Sequence, residues 1–146
     1  RTKTDGYKPP AYWERLPQIV EAIDVPVVAN GEIWSVADYQ RCVAMSGCRD
    51  VMVGRGGIST PDLAYRIRNP LSEAIEWPQV EQALLGFCEA IDGSGKQDQL
   101  SGKVKQWLGM LQRSYPQAAE CFAQGKRWRD LSGFKAMFSP HAQQAA

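Results

Sequence analysis

The sequence predicts a fold in two parts, an α/β part over residues 1–68 and an all-helical part over residues 69–146. In the first part, two short apolar runs that are typical of strands alternate with segments whose apolar residues recur at helical spacing. The order helix, strand, helix, strand, helix with short connections is typical of a parallel α/β protein. After Asn69-Pro70 the strand pattern disappears, so we expect a small helical bundle domain there.

The elements of the α/β part follow from apolar spacing and turn residues. A first helix is predicted by apolar residues at helical spacing: Tyr12, Leu16, Ile19, Val20 and Ile23. Residues 25–29 form a continuous apolar run, which suits a strand buried on both faces of a parallel sheet. Ser35 is the expected N-cap of a second helix and Gly47 its end, and residues 50–53 predict a second strand. Thr60 and Pro61 are expected to begin the third helix.

The helical part shows two long apolar faces and two shorter ones. The first face begins at Trp77-Pro78 and consists of Val80, Leu84, Phe87, Cys88 and Ile91. The second consists of Leu100, Val104, Trp107, Leu108 and Leu111, and it ends before Tyr115-Pro116. Shorter helices are expected over 117–124 and 128–138. Trp107 falls on the apolar face, so we expect it in the core rather than stacked on a base.

Two strands are too few for a stable parallel sheet. The sequence also begins at Arg1 rather than at Met, and both observations predict a piece of a longer protein. The missing strands would come from an absent N-terminal part or from another copy of the chain. Self-association through the incomplete sheet edge is therefore an expected property of the piece.

Composition excludes several classes of protein. With 44% apolar and 23% charged residues among 146, the chain is typical of a globular protein, and no apolar run approaches the ~20 residues of a membrane helix. Four cysteines without a C-x-x-C pair, and a single His in the tail, exclude a disulfide scaffold and disfavour a zinc site. We therefore expect a cytoplasmic protein with reduced thiols, no metal and no membrane partner.

The net charge of +1 conceals two segments of opposite charge. Residues 69–95 contain five acidic residues and no Lys or Arg, whereas residues 96–146 contain eight basic and three acidic ones. The basic segment is interleaved with Trp107, Tyr115, Trp128 and Phe134, a pattern suited to binding a polyanion such as RNA. A solvated helical face with clustered charges is the alternative.

Polar and glycine-rich turns follow both predicted strands, at the ends where α/β proteins place their sites. After the first strand, Asn30, Gly31 and Glu32 provide an amide, a closely approachable backbone and a carboxylate. After the second, Gly54, Arg55 and two further glycines provide backbone N–H groups and a guanidinium, which together suit a phosphate. No Ser-His-Asp set, paired-carboxylate motif or His-activated Cys is present, so no catalytic residue is assigned to this chain.

The chain resembles the tRNA-dihydrouridine synthases, nearest to their bacterial C-type subgroup, which acts on a D-loop uridine. The resemblance is carried by Arg1-Thr2, Asp5-Gly6-Tyr7, Val-Pro-Val-Val-Ala-Asn-Gly-Glu-Ile over 25–33, Asp-Val-Met-Val-Gly-Arg-Gly over 50–56 and the basic-aromatic Lys-Val-Lys-Gln-Trp-Leu over 103–108. It implies the C-terminal part of a TIM (β/α)8 barrel that binds FMN, over residues 1–68, followed by a helical tRNA-binding domain over 69–146. The implied activity is reduction of uridine by FMN that NADPH has reduced.

The same resemblance implies roles for individual residues. Asn30, Gly31 and Glu32 match the flavin-contacting turn, and Gly54 and Arg55 match the phosphate grip. The helical domain would contact tRNA phosphates through Lys103, Lys105, Arg113, Lys126, Arg127 and Arg129. The flavin-contacting His that would precede Arg1, the flavin-binding Lys and the catalytic Cys of the family are absent from this chain. The chain alone is therefore expected to be inactive and to bind FMN weakly.

Two alternative functions remain open from the residues. One is a free-standing RNA-binding helical module without catalysis. The other is a different FMN- or phosphate-binding TIM-barrel enzyme, similar to dihydroorotate dehydrogenases, although such an enzyme has no need of a basic helical appendix.

Overall fold

The computed structural model describes Thr4, Gly6 and residues 8–139. The chain divides into two compact units, Arg1–Glu73 and Ala74–Ala146, which we call the N-terminal and C-terminal units. This division lies a few residues beyond the predicted one between residues 68 and 69. Arg1, Thr2, Asp5 and Tyr7, which carry part of the family resemblance, lie outside the described residues, as does the tail from residue 140 onward.

The N-terminal unit alternates helices with two short strands. A 3₁₀ turn at Trp13–Arg15 leads into α1 (Leu16–Ala22), followed by β1 (Val28–Asn30), α2 (Val36–Ser46), β2 (Asp50–Met52), α3 (Arg55–Ser59) and α4 (Leu63–Arg68). The predicted alternation is therefore confirmed from the first helix through β2. Both strands are shorter than the apolar runs that predicted them.

The two strands form a parallel pair, with Ala29 opposite Val51 and Asn30 opposite Met52. Ala29 belongs to a buried core with Trp13, Ile33, Cys42 and Cys48. The side chains on the other face are open, since Val28 is 51% exposed and Met52 56% exposed. The prediction that the first strand is buried on both faces is wrong for the described residues, because their elements supply a core on one side only.

Helix α2 begins and ends at the residues that the sequence indicated. The Ser35 hydroxyl accepts a hydrogen bond from the backbone N–H of Asp38 at 3.1 Å, which satisfies one of the donors left open at a helix start. Gly47 ends the helix in the left-handed conformation, with φ of 66°, where a Cβ would be unfavourable. Both caps are local interactions, which explains why the sequence revealed them.

The prediction that a helix begins at Thr60-Pro61 is wrong. The glycine-rich segment after β2 is itself helical, and Thr60 ends α3 by donating its N–H to the carbonyl of Gly56 at 2.9 Å. A Cβ on Gly56 would lie 1.9 Å from the carbonyl oxygen of Ile33, so this glycine lets α3 pack directly against the backbone after β1. Gly56 therefore serves close packing rather than an open loop.

Up to residue 139, the C-terminal unit contains four helices that share one apolar core: α5 (Trp77–Ile91), α6 (Gln97–Leu111), α7 (Gln117–Gly125) and α8 (Ser132–Phe138). The predicted faces of α5 and α6 are confirmed, because Val80, Leu84 and Cys88 on α5 and Leu100, Val104, Leu108 and Leu111 on α6 are buried. Trp107 packs against this core as expected, with its ring 5.0 Å from that of Phe87 and nearly perpendicular to it.

The last helix begins later than predicted, at Ser132 instead of residue 128. Asp130 accepts hydrogen bonds from both the backbone N–H and the hydroxyl of Ser132, and this Asx turn begins the helix. Residues 126–131 are therefore an irregular segment, which we call the α7–α8 connection.

Gly125 at the end of α7 is a position where packing requires glycine. A Cβ there would lie 2.3 Å from the ring of Phe134, which is fully buried. A Cβ on Gly109 in α6 would have no atom within 4 Å. Both glycines lie in helices, but only Gly125 is in a position with no space for a side chain.

We expect Gly125→Ala to lower the free energy of unfolding by about 1–3 kcal/mol, because the Phe134 ring must move within a filled core. Gly109→Ala should raise it by roughly 0.5–1 kcal/mol, since alanine favours a helix over glycine. Urea unfolding of both variants measures the difference. Equal effects of the two substitutions would contradict this account of Gly125.

Candidate functional site

The parallel pairing brings the two strand-end turns, residues 30–32 and 54–57, to the same edge of the sheet. Together they line one cavity of about 400 Å³. Its walls are formed by Asn30, Gly31, Glu32, Ile33, Trp34, Met52, Gly54, Arg55 and Gly56. All five residues predicted for the FMN site therefore lie around a single cavity, whose size is within the range of roughly 300–1,000 Å³ for small-molecule sites.

The turn after β1 is held by contacts from the chain that precedes α1. The indole Nε1 of Trp13 donates a hydrogen bond to the carbonyl of Gly31 at 3.0 Å, and Oε2 of Glu32 accepts one from the backbone N–H of Ala11 at 2.7 Å. Gly31 has φ of 116° and Glu32 φ of 58°. A left-handed conformation at a non-glycine residue costs about 1–2 kcal/mol, so the turn is held in a strained shape by its neighbours.

Glu32 therefore has a structural contact as well as a place in the cavity wall. One of its carboxylate oxygens fixes the segment at Ala11. This contact uses Oε2, one of the two carboxylate oxygens.

The turn after β2 contributes the positive charge of the site. Arg55 is exposed, and its guanidinium carbon lies 5.4 Å from the centre of the Trp34 ring, within the range of a cation–π contact. The would-be Cβ of Gly54 has no atom within 4 Å, so the backbone there is open to close approach. A guanidinium beside accessible backbone is suited to a phosphate or another anion.

Sequence reasoning missed Trp34 and Trp13 as residues of this site. Trp34 lies against the guanidinium of Arg55, and Trp13 holds Gly31. An arginine and a tryptophan on successive strand exits were a usable signal for the first contact. Nothing local in the sequence pairs Trp13 with Gly31.

The predicted RNA-binding residues of the C-terminal unit differ in exposure. Lys103 on α6, Arg113 just after α6, and Lys126, Arg127 and Arg129 in the α7–α8 connection are exposed. Lys105 is half-buried, and its ammonium donates a hydrogen bond to the backbone carbonyl of Trp128. The structure thus brings Lys105 to the α7–α8 connection and gathers three exposed cations within that connection.

Lys135, the remaining basic residue of the last two helices, is engaged in an ion pair with Asp92. The hydrogen bond between them lowers the pKa of Asp92 and raises the pKa of Lys135. Lys135 therefore connects α8 to the end of α5, a role that charge counting did not reveal.

The four cysteines, Cys42, Cys48, Cys88 and Cys121, are all buried. Desolvation by burial raises the pKa of Cys42, and it raises the pKa of Cys88 and of Cys121 to about 11. These last two thiols are protonated at neutral pH and are poor nucleophiles.

Within residues 8–139, Thr4 and Gly6, no three His, Cys, Asp or Glu side chains are grouped so as to hold a metal ion. None of the helices in that part of the chain is both long and apolar enough to cross a membrane.

The sequence of the chain matches a family of known proteins. The model of the dihydrouridine synthase (Dus) family matches residues 1–142. A tRNA-dihydrouridine(16) synthase of Cupriavidus necator is 44% identical over 133 residues, which cover 89% of this chain and 41% of the relative. One from Pseudomonas putida is 39% identical over 147 residues, covering 98% of this chain and 46% of the relative. A third, from Ralstonia nicotianae, is 45% identical over 133 residues, or 89% of this chain and 41% of the relative.

The chain thus spans less than half the length of these curated relatives. Its two parallel strands with flanking helices are compatible with the C-terminal part of a TIM-barrel enzyme. Since the family match includes both strand-end turns and nearly all of the C-terminal unit, the chain belongs to the dihydrouridine synthase family.

Proposed function

We propose that the whole protein is a flavin-dependent tRNA-dihydrouridine synthase, which reduces the C5–C6 double bond of a D-loop uridine in tRNA. The observation that carries this proposal is the family match over residues 1–142. Relatives named tRNA-dihydrouridine(16) synthase, at 44% and 45% identity, support position 16 as the target. In this proposal the N-terminal unit is the last part of the barrel, and the C-terminal unit is a helical tRNA-binding bundle.

The open face of the two-stranded sheet is consistent with this arrangement. Val28 and Met52 are apolar but half exposed, whereas Ala29 on the opposite face is buried. In a TIM barrel, alternate strand residues face the helices and the barrel interior. The open face therefore belongs to the barrel interior in the whole protein, and in the isolated chain it is available to a second copy.

The cavity at the strand-end turns fits part of an FMN site. In the whole protein these residues would hold part of FMN, which would supply the redox chemistry between NADPH and the uracil ring. Arg55 would hold the phosphate with the backbone beside Gly54, and the amide of Asn30 and the backbone of Gly31 would face the rest of the cofactor. The positive charge of Arg55 and the open backbone at Gly54 favour an anion at this end of the cavity.

The exposed cations of the C-terminal unit fit a tRNA backbone. Lys103, Arg113, Lys126, Arg127 and Arg129 are exposed, as phosphate contacts require. Such contacts provide affinity and orientation but read no sequence. Lys105 differs from them because it is half-buried.

We expect Arg55→Gln in the full-length protein to weaken FMN binding by about 10–100-fold, because a charged hydrogen bond contributes roughly 1.5–3 kcal/mol. Riboflavin, which lacks the phosphate, should bind both proteins equally. Flavin fluorescence titration measures both ligands.

The control for this experiment is Arg49→Gln, which removes the same charge from an exposed residue before β2, at the opposite end of the strand. It should leave both affinities unchanged. An equal loss of FMN and riboflavin affinity in Arg55→Gln would contradict the assignment of Arg55 to the phosphate.

We expect the double variant Arg127→Ala/Arg129→Ala to bind tRNA more weakly and to lower the magnitude of the slope of log K against log salt by roughly 1.4–1.8, the value for two lost phosphate contacts. Fluorescence anisotropy at several KCl concentrations measures the slope. Arg49→Ala, outside the C-terminal unit, is the charge control. An unchanged slope in the double variant would remove these arginines from the RNA-binding surface.

We expect the 146-residue chain alone to form no dihydrouridine in tRNA when FMN and NADPH are added. Its four thiols are buried, so none is placed to give a proton to the uracil ring. Mass spectrometry of tRNA nucleosides measures the product, with the full-length protein as the positive control. Product formation by the chain alone would show that a catalytic acid lies within these residues.

A further inference from the structure

Lys105 differs from the other cations of the C-terminal unit because its ammonium is committed to the protein backbone. It lies on α6, is half-buried, and donates a hydrogen bond to the carbonyl of Trp128, 23 residues further along the chain. Trp128 lies within the α7–α8 connection, and its neighbours in sequence, Arg127 and Arg129, are exposed. The contact therefore joins a helix of the core to the part of the chain that carries three exposed cations.

A second side chain of α6 holds the other end of the same connection. The backbone N–H of Leu131 donates a hydrogen bond to Oε1 of Gln97 at 3.2 Å. The amide nitrogen of Gln97 in turn donates to Oδ1 of Asp92 at 3.0 Å, and the other oxygen of Asp92 accepts from Lys135. The side chain of Gln97 is thus oriented by its hydrogen bond to Asp92 while it accepts the hydrogen bond from Leu131.

Apolar packing fixes the middle of the connection. The Trp128 ring lies 4.9 Å from the Phe134 ring in an edge-to-face arrangement. A Cβ on Gly133 would lie 2.7 Å from the Trp128 indole, so α8 approaches this ring as closely as a glycine allows. The indole of Trp128 is thus packed and its carbonyl is hydrogen-bonded, so the backbone between Arg127 and Arg129 is held at both of these groups.

We propose that Lys105 is a positioning residue for tRNA binding, which holds the α7–α8 connection so that Arg127 and Arg129 meet the tRNA backbone, and that it does not itself contact a phosphate. The inference rests on the proposed function of the C-terminal unit. Gln97 acts in the same way on Leu131. Ordering the connection before binding lowers the entropic cost of placing two long cationic side chains on their ligand.

The test is a double-mutant cycle on tRNA affinity, measured by fluorescence anisotropy with the full-length protein. Lys105→Met removes the charge and the donor but keeps the length of the apolar stem. It is introduced into the wild type and into the Arg127→Ala/Arg129→Ala background. Lys103→Met, two residues away and exposed, is the matched control in both backgrounds.

We expect Lys105→Met to weaken binding at least about fivefold in the wild type and less than about twofold when both arginines are absent. Lys103→Met should weaken binding by the same factor in both backgrounds, as a direct phosphate contact would. Equal factors for Lys105→Met in the two backgrounds, or no effect in the wild type, would overturn the proposal. Failure of the wild type to bind tRNA would instead overturn the proposed function.

A second variant keeps the test valid if Lys105→Met does not fold. Gln97→Met removes the other contact to the connection and changes no charge. We expect Gln97→Met to weaken tRNA binding in the wild type and to have no further effect in the Arg127→Ala/Arg129→Ala background. The salt dependence of tRNA binding in that double-variant background should also stay unchanged. The conservative variant Lys105→Arg, which retains a donor and the charge, should bind tRNA with the affinity of the wild type. Wild-type affinity in Gln97→Met would overturn the proposal.

Discussion

The N-terminal unit depends on the parallel pairing of β1 with β2, because that pairing places the turns of residues 30–32 and 54–57 side by side. The first turn begins at Asn30, the last paired residue of β1, and the second begins two residues after Met52, the last paired residue of β2, so a register change by one residue would displace one turn relative to the other. The approach of Gly56 to the carbonyl of Ile33 reinforces the register from outside the sheet. The cavity is therefore a consequence of backbone geometry, and its polar side chains are placed by that geometry.

Strain and support are combined at the turn after β1. Glu32 occupies a left-handed conformation that costs free energy, and two hydrogen bonds from the segment before α1 hold the turn in place. The carboxylate of Glu32 makes one of these contacts itself. Glu32, which the sequence predicts as a cofactor-binding residue, thus also maintains the shape of the cavity wall.

Local interactions made much of this structure predictable from the sequence. Ser35 and Gly47 delimit α2 through contacts within a few residues, and the buried faces of α5 and α6 follow from helical spacing. The expectations that failed have two different causes. The packing of α3 against the Ile33 carbonyl, which requires glycine at position 56, depends on a distant partner that the sequence does not show. The Asx turn between Asp130 and Ser132 is a local contact that apolar spacing alone overlooked. For the site, strand exits identified the two turns, whereas the contacts of Trp13 and Trp34 require the folded chain.

Charge counting gave the same weight to every basic residue of the last third of the chain, but folding divides them into different roles. Lys135 is paired with Asp92 of the acidic segment, so one charge of each segment is used inside the unit. Lys105 is committed to a backbone carbonyl. Three exposed cations, Lys126, Arg127 and Arg129, lie within the short α7–α8 connection. An irregular connection gives side chains a direction only if its backbone is held. The contacts from Lys105 and Gln97 and the packing of Trp128 hold this backbone. A half-buried cation such as Lys105 can therefore contribute to the RNA-binding surface without lying on it.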